Sequence, residues 1–361
     1  MTSPQMTVLT ERPTTTFRAP ETAFAAAPAE ARGLARDSVR LLVADPRGIR
    51  HVRFTDLPDR VSPGDLVVVN NSATVAGQLD AILVRAGVTT PVVVHVGTRL
   101  EDGSRVVEVR TAPDADRAVL DAEPGDRLRV GGAELTLQSA YPHTGSSPTG
   151  DGSRLWRAGV TGDLGAALRR RGRPISYGYL DRHYPLSAYQ SVFSTEPGSA
   201  EMPSAGRPFT DEVITRLVAS GVGVAPITLH TGFSSQVAGE APQPEWYDVP
   251  AATARLVTST RAAGGRVVAV GTTVTRALES AVGDDGRVLA SRGWTERVVT
   301  PADPPRVIDG LVTGWHDPGA SHLLLVEAVA GPELTQAAYD AATAEGYLWH
   351  EFGDAALLLR R

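Results

Sequence analysis

A short apolar run passes directly into a helical pattern at residues 266–281, RVVAVGTTVTRALESA, and this stretch constrains the possible fold more than any other. Residues 267–271 are apolar, partly β-branched and end in glycine, which is typical of a buried strand. Thr272 or Thr273 can cap the helix that follows. Three apolar residues then recur at helical spacing: Val274, Leu278 and Ala281. This arrangement points the helix N–H groups at the carboxyl edge of a sheet, where open α/β folds bind ligands.

Two charged residues lie three apart on the first turns of this predicted helix. Arg276 and Glu279 are near enough to the sheet edge to contact a bound molecule. They are also near enough to each other to form an ordinary surface ion pair. The pattern alone leaves both interpretations open.

Strand patterns alternate with helical patterns along much of the chain, at intervals of roughly 25–40 residues, which predicts an α/β sheet. Polar residues end two further buried runs. Asn70 follows the run at residues 66–69, and His230 follows the run at residues 223–229. Because ligands bind at the carboxyl ends of such strands, both are candidate site positions. A single histidine can equally have a structural role.

The segment from residue 74 to 156 differs from the rest, with short β-rich runs separated by Gly, Asp and Pro turns at intervals of roughly ten residues. This pattern predicts a small antiparallel barrel or sandwich inserted into an α/β chain. The predicted main domain is discontinuous, at residues 31–73 and 157–361, with the inserted barrel-like domain at residues 74–156. Residues 1–30 are rich in Pro, Thr and Ala, and we expect them to be disordered or extended.

The amino-acid composition excludes several classes of chemistry. The 361 residues include no cysteine, and all 35 basic residues are arginines. Disulfides, thiol nucleophiles, thiolate metal sites, Schiff-base lysines and a P-loop lysine are therefore excluded. No apolar run approaches the ~20 residues of a membrane span, and the N-terminal residues lack a signal-peptide pattern. We expect a cytoplasmic protein with no membrane partner, and we find no metal-ligand spacing.

Basic residues cluster at the end of a predicted helix at residues 161–173. The cluster consists of Arg169, Arg170, Arg171 and Arg173. It is either a solvated helix end favoured by the helix dipole or a contact for nucleic-acid phosphates. The net charge of −6 argues against a broad nucleic-acid-binding face but permits a local patch. Four tyrosines follow, whose rings either fill a seam between domains or stack on a planar ligand. They are Tyr177, Tyr179, Tyr184 and Tyr189.

Eight segments of the chain occur in the order found in one protein family. They are SVRLLVAD, HVRFTDLPDRVSPGDLVVVNNSATV, AYQSVFS with MPSAGRPFT, ITLHTG, EWYDV, AVGTTVTRALES, LVTGWHDPGASHLLLVEAVAG and FGDAALLL. Over residues 30–361, including the inserted β domain, the chain resembles the S-adenosylmethionine:tRNA ribosyltransferase-isomerase (QueA) family of queuosine synthesis. The individual motifs are short, but their shared order makes the resemblance specific.

The resemblance implies a reaction in which S-adenosylmethionine is a substrate and tRNA is the acceptor. The sulfonium makes the neighbouring 5′ C–H acidic, so that a base starts loss of adenine and transfer of the ribosyl carbons to an aminomethyl-deazaguanine in tRNA. Methionine then leaves as an epoxide closes. The reaction needs a base, an acid for adenine and contacts for methionine, and it requires no metal.

The resemblance also implies site residues. Polar residues that match the family pattern are His230, Glu245, Thr272, Thr273, Arg276, Glu279, His316 and Asp354. Of these, His230 or His316 is the implied proton-transfer group. Thr272, Thr273 and Arg276 are implied to hold the nucleoside or the methionine carboxylate. Asn70 and Tyr189 are further candidates for substrate binding.

Some positions depart from the family pattern. The family reads N-D-T-R where this chain has Asn70-Asn71-Ser72-Ala73, and the L-H of its P-T-A-G-L-H-F-T motif is replaced by Arg207 and Pro208. These changes leave two alternatives to the tRNA reaction. One is a paralogue that uses S-adenosylmethionine on a small-molecule acceptor, and the other is a catalytically silent binding protein. The sequence does not indicate an oligomeric state.

Overall fold

A mixed sheet of nine strands forms the body of the protein, and a computed structural model describes residues 9, 11–19, 23–143, 151–234, 239–318 and 320–360. In spatial order the strands are β15 (Ser291–Thr295), β13 (Glu245–Val249), β12 (Gly223–Leu229), β3 (Leu66–Asn70), β14 (Val267–Val270), β16 (Gly310–Thr313), β17 (Ala355–Leu359), β1 (Arg40–Asp45) and β2 (Gly48–Arg53). The four central strands from β12 to β16 are parallel, as are β1 and β17, and the remaining neighbours are antiparallel.

Helices cover both faces of this sheet. They are α2 (Asp211–Ala219), α3 (Ala251–Ala262), α4 (Thr272–Ser280), α5 (Ser321–Ala330) and α6 (Pro332–Ala344), with α1 (Leu164–Arg171) lying outside the body sheet. Short 3-10 helices occur at Ala29–Arg32, Arg36–Ser38, Phe54–Asp59, Leu186–Tyr189 and Ser204–Gly206. In the described ranges, no helix has the length and apolar character needed to cross a bilayer.

Strand β14 is buried on both faces, which explains its unbroken apolar sequence. Val267 and Ala269 belong to the hydrophobic cluster shared with α3, α4, α5 and α6. Val268 and Val270 belong to the cluster on the opposite face, which includes α2. The strand and the helix that the sequence predicts at residues 266–281 are therefore confirmed.

The inserted unit is a closed antiparallel barrel of six strands. They are β5 (Gln78–Arg85), β6 (Val88–Arg99), β7 (Arg105–Thr111), β8 (Arg127–Val130), β9 (Ala133–Ala140) and β10 (Leu155–Gly162). The predicted fold class, an α/β body with an inserted β-barrel, is confirmed. Strand β10 continues to Gly162, past the predicted end of the insertion at residue 156, and Leu164 and Ala167 of α1 pack into the barrel core.

The two chain crossings between body and barrel lie side by side. Gly77 and Gln78 each donate a 2.9 Å hydrogen bond to the carbonyl oxygen of Arg173. A short parallel pair, β4 (Ser72–Thr74) with β11 (Glu196–Ser199), lies next to the end of β3. The barrel is thus attached close to the carboxyl edge of the body sheet.

The N-terminal segment follows the body as an extended chain. Thr14 and Thr15 bond through their N–H and hydroxyl groups to the buried carboxylate of Glu327 on α5. Phe17 packs against the rings of Tyr339 and Trp349, with centroids 4.6 and 5.1 Å apart. The prediction for residues 1–30 was a disordered or an extended segment, and residues 11–19 are extended. Residues 1–8, 10 and 20–22 lie outside the described residues.

Candidate active site

A cavity opens at the carboxyl edge of the body sheet, where β14 and β16 end. Its walls are the start of α4, the loop between β16 and α5, the loop before β17, and segments 201–205 and 231–234. Five of the residues predicted for the site line it: Glu245, Thr272, Thr273, Arg276 and His316. Thr272, Thr273 and His316 come together because carboxyl ends of neighbouring parallel strands meet at one edge of a sheet. Glu245 reaches the same edge as the first residue of the antiparallel strand β13.

Helix α4 presents its N-terminus to the cavity without a side-chain cap. The N-cap residue is Gly271, with a left-handed φ of +92°. The prediction that Thr272 or Thr273 caps the helix is wrong, because both lie within its first turn. Thr273 Oγ1 lies 3.4 Å from Nδ2 of Asn70. The exposed N–H groups and the helix dipole suit this end of α4 to an anion such as a carboxylate.

Arg276 lies in the wall of the cavity, with only 6% of its surface exposed. Its guanidinium pairs with Glu245. It also donates to three backbone carbonyl groups, those of Gln243, Thr295 and Arg297, at 2.9, 3.3 and 3.0 Å. Through these contacts the guanidinium connects α4 with β13 and with the segment that follows β15.

Glu279 does not line the cavity. Its buried carboxylate accepts 2.9 Å hydrogen bonds from the backbone N–H groups of Arg306 and Val307. The predicted alternative of a surface ion pair between Arg276 and Glu279 is therefore wrong, since both side chains are buried and bonded to other groups.

Glu245 connects two walls of the cavity. One carboxylate oxygen pairs with Arg276, and the other accepts a 2.8 Å hydrogen bond from the N–H of Gly232. Burial raises the pKa of the Glu245 carboxyl, although Arg276 opposes this effect. The pair holds segment 231–234 against α4.

His316 lies at the end of β16, where Nε2 is 3.0 Å from Thr313 Oγ1. Its ring stacks on that of His322, with centroids 4.9 Å apart and planes 8° apart. Burial lowers the pKa of His316 well below its usual value, and His322 and His350 lower it further. Burial likewise lowers the pKa of His322 to about 4. Both rings are neutral at neutral pH, so each has an unprotonated ring nitrogen, and burial disfavours the protonated form of either ring.

Three residues that sequence reasoning missed also line the cavity: His322, His350 and Glu351. His322 occupies the first turn of α5, and the other two precede β17. The available signal was the polar His350-Glu351 pair within an otherwise aromatic segment, YLWHEF. His350 lies 3.5 Å from Asp317 through Nε2. Across the described residues, no group of three or more side chains has the arrangement of a metal site.

Besides Glu279, four residues predicted for catalysis or substrate binding lie outside the cavity lining: His230, Asn70, Tyr189 and Asp354. His230 Nδ1 is 2.7 Å from Ser72 Oγ, and its ring stacks on Trp246. The Asn70 amide joins β3 to β12 through the backbone of Leu229, at 2.8 and 3.0 Å.

The remaining two of these residues have structural partners. Tyr189 is buried against Phe352, with ring centroids 5.1 Å apart. The Asp354 carboxylate accepts hydrogen bonds from Arg40 and from the N–H of Leu348. Motif matching does not reveal burial or hydrogen-bond partners, so it did not separate these two residues from the residues that line the cavity.

The predicted basic cluster lies at the end of α1, beside the barrel. Arg173 pairs with Asp80 at 2.6 Å. Arg170 donates to the carbonyl of Ala166, and Arg169, which is 73% exposed, lies 4.0 Å from Asp163. Arg169, Arg170 and Arg171 are exposed on one short helix and do not line the cavity.

The positions that depart from the family pattern have partners within the body. Arg207 pairs with Glu30 at 2.9 Å and lies over the ring of Phe352. Asn71 Oδ1 accepts a 2.7 Å hydrogen bond from Thr228. Neither of these two residues lines the cavity.

Comparison with known proteins gives consistent results. A family described as queuosine biosynthesis protein matches residues 14–358. Proteins called S-adenosylmethionine:tRNA ribosyltransferase-isomerase from Acidiphilium cryptum and Gloeobacter violaceus are each 35% identical over 95% of this chain and cover 98% and 94% of their own lengths. The crystal structure of S-adenosylmethionine tRNA ribosyltransferase from Thermotoga maritima matches with a TM-score of 0.52 and 27% identity, over 95% of this chain and 99% of that one.

Proposed function

This chain belongs to the queuosine biosynthesis protein family, and we propose that it transfers the ribosyl moiety of S-adenosylmethionine to a 7-aminomethyl-7-deazaguanine base in tRNA, releasing adenine and methionine. The observation that carries this proposal is one cavity that combines an uncapped helix N-terminus with a neutral, buried histidine. The first suits the methionine carboxylate, and the second suits proton abstraction. We expect the reaction to take place in the cytoplasm, where tRNA is modified.

The start of α4 is the proposed seat of the methionine carboxylate. Thr272 and Thr273 supply backbone N–H groups and hydroxyls there. Arg276 holds this end of α4 in place through its ion pair with Glu245, so it acts as a positioning residue. The predicted contact between Arg276 and the carboxylate stays a prediction.

His316 is the proposed base. A neutral imidazole at the cavity wall accepts the acidic 5′ proton next to the sulfonium without first having to lose a proton of its own. The hydrogen bond with Thr313 holds the ring in place. His230, the other histidine implied by the resemblance, lies behind Ser72 and outside the cavity lining.

The exposed arginines of α1 are the proposed tRNA contact. Arg169, Arg170 and Arg171 lie together on a solvated helix end, which suits phosphates. The contact would position tRNA across the barrel without involving the cavity walls.

The test is adenine release from S-adenosylmethionine, followed by chromatography, with and without tRNA carrying the deazaguanine. We expect release only when this tRNA is present. His316→Asn should slow release by about 100-fold or more, because general base catalysis contributes roughly 10²–10⁴-fold. His230→Asn, measured alongside, should have a much smaller effect.

Adenine release that needs a small molecule instead of tRNA would favour the small-molecule alternative. No release under any condition would favour a silent binding protein. Unchanged turnover in both histidine variants would remove His316 and His230 from the mechanism.

A further inference from the structure

One carboxyl group at the cavity has no counter-ion among the described residues. Glu351 forms no ion pair there, and its Oε2 is buried without a hydrogen-bond partner. The other charged side chains of the cavity have partners: Glu245 with Arg276, Arg297 with Asp303, Asp317 with His350, and Glu201 with the hydroxyls of Tyr177 and Ser234. A carboxyl oxygen that is buried without a partner is costly, so it is expected where a ligand supplies the missing donor.

The backbone and its neighbours hold Glu351 in place. The preceding residue, His350, has a positive φ of 66°, which is uncommon for a residue other than glycine. Its ring stacks on Tyr179 and lies 4.6 Å from that of Phe24. Burial raises the pKa of the Glu351 carboxyl to about 7. Glu351 thus changes charge within the physiological pH range.

Other ionisable groups around Glu351 are already engaged or neutral. Arg36 and Arg207 line a smaller neighbouring cavity with Glu351, and both pair with Glu30. Asp354, in the same cavity, pairs with Arg40. The stacked pair His316 and His322 across the main cavity is neutral at neutral pH. None of these described groups forms an ion pair with Glu351.

Glu351 and the start of α4 line the same cavity. Glu351 also shares the neighbouring cavity with Ala205 and Gly314. A Cβ added to Gly271, the N-cap of α4, would lie 3.3 Å from the Cβ of Ala205. A carboxylate seated on α4 places the ammonium group on the same carbon atom inside the cavity that Glu351 lines.

We propose that Glu351 binds the α-ammonium group of S-adenosylmethionine, so that the helix end and this carboxylate together recognise the zwitterionic amino acid. The proposal rests on the proposed function. An ammonium has N–H donors to offer the unpartnered Oε2, whereas a sulfonium has none. Charge-assisted hydrogen bonds of this kind are among the strongest that proteins form.

The test is calorimetric titration of the whole protein, without tRNA, using three ligands. S-adenosylmethionine and S-adenosylhomocysteine both carry the ammonium, whereas 5′-methylthioadenosine lacks the amino acid. Glu351→Gln should weaken binding of the first two by roughly ten- to a hundredfold and leave the third unchanged. The matched control Glu333→Gln removes the same charge from an exposed position on α6 and should change none of them.

The pH dependence supplies a second readout that a folding defect would not imitate. S-adenosylmethionine binding by the parent should strengthen between pH 6 and pH 8, because the Glu351 carboxyl ionises in that range. Glu351→Gln should remove this part of the dependence. A melting experiment on the variant verifies that it folds.

Two results would overturn the proposal: equal affinities in parent and variant, or a loss confined to S-adenosylmethionine, which would indicate the sulfonium instead. Absence of S-adenosylmethionine binding by the parent would overturn both this proposal and the proposed function. If S-adenosylmethionine binding depends on Glu351 but the protein shows no tRNA-dependent adenine release, the proposed function alone is overturned.

Discussion

At the residue scale, the buried ion pair between Arg276 and Glu245 determines the shape of the cavity wall. Removing Arg276 would leave the buried carboxyl of Glu245 without its cation. We expect Arg276→Ala to lower the free energy of unfolding by about 3–5 kcal/mol, measured by urea denaturation. The control is Arg287→Ala, because Arg287 is 71% exposed and lies 3.8 Å from Asp285. It should cost less than about 1 kcal/mol. Equal, small losses in both variants would show that the Arg276 pair has no structural role.

His322 makes the protein sensitive to acid. Its pKa is lowered from 6.5 to about 4, so the unfolded chain binds a proton at this residue more readily than the folded one between these values. Stability contributed by the neutral ring is present above pH 6.5 and is lost as the pH falls toward 4. We expect His322→Gln to reduce the loss of stability between pH 7.5 and pH 5 by up to about 2 kcal/mol. Thermal melting at pH 7.5 and pH 5 measures this change, and an identical pH profile in parent and variant would contradict it.

Position after a buried strand separated site residues from other residues only in part. Thr272 and Thr273 were predicted in this way and line the cavity, whereas Asn70 and His230 also follow buried strands and lie outside its lining. His316, which lines the cavity, was implied by the family resemblance. Glu351 and His322 were missed because the sequence does not show burial or the absence of a partner, and these properties distinguish them from surface residues. Arg276 was placed correctly on its helix, but its partner Glu245 is 31 positions away along the chain, beyond the reach of a local pattern.

The start of α4 is the element on which the site depends. Gly271 has φ +92°, and a Cβ there would meet Ala205 and Thr273 at 3.3 and 3.4 Å. Gly264, at φ +82°, has open space around the same position. Replacement by alanine should cost about 1–2 kcal/mol of stability at either glycine, from backbone strain. Only Gly271→Ala should also weaken S-adenosylmethionine binding, on the order of tenfold or more.

Calorimetric titration of both glycine variants makes this comparison. Equal loss of affinity in Gly264→Ala would mean that general destabilisation, rather than the helix start, explains the effect. Unchanged affinity in Gly271→Ala would show that the ligand does not approach α4.

Helices and strands were predictable where one physical cause, such as burial of both faces of a strand, dominates their sequence. Strands β3 and β14 are continuous apolar runs because both of their faces are buried. The cap of α4 was predicted wrongly because threonine is a strong N-cap former. In the structure the N-cap residue is Gly271, which has a left-handed backbone conformation. The boundary of the barrel was less predictable, since β10 and α1 belong to the barrel core through packing rather than through a local signal.

The whole molecule combines an α/β body, which carries the cavity, with a barrel that carries the exposed arginines of α1. We expect replacement of Arg169, Arg170 and Arg171 by alanine to weaken tRNA binding and to reduce its dependence on salt. Each lost phosphate contact lowers the slope of log K against log salt by about 0.7–0.9. Filter binding at several salt concentrations measures this, and S-adenosylmethionine affinity should not change. An unaltered slope would place the tRNA contact elsewhere.

The most direct test of the account follows the ribosyl carbons themselves. The parent protein is incubated with S-adenosylmethionine labelled with ¹³C in the ribose and with tRNA carrying 7-aminomethyl-7-deazaguanine, and the digested nucleosides are analysed by mass spectrometry. The account predicts that the labelled carbons appear on the deazaguanine nucleoside, with one adenine released for each transfer. Label that never reaches tRNA, although S-adenosylmethionine binds and is consumed, would contradict it.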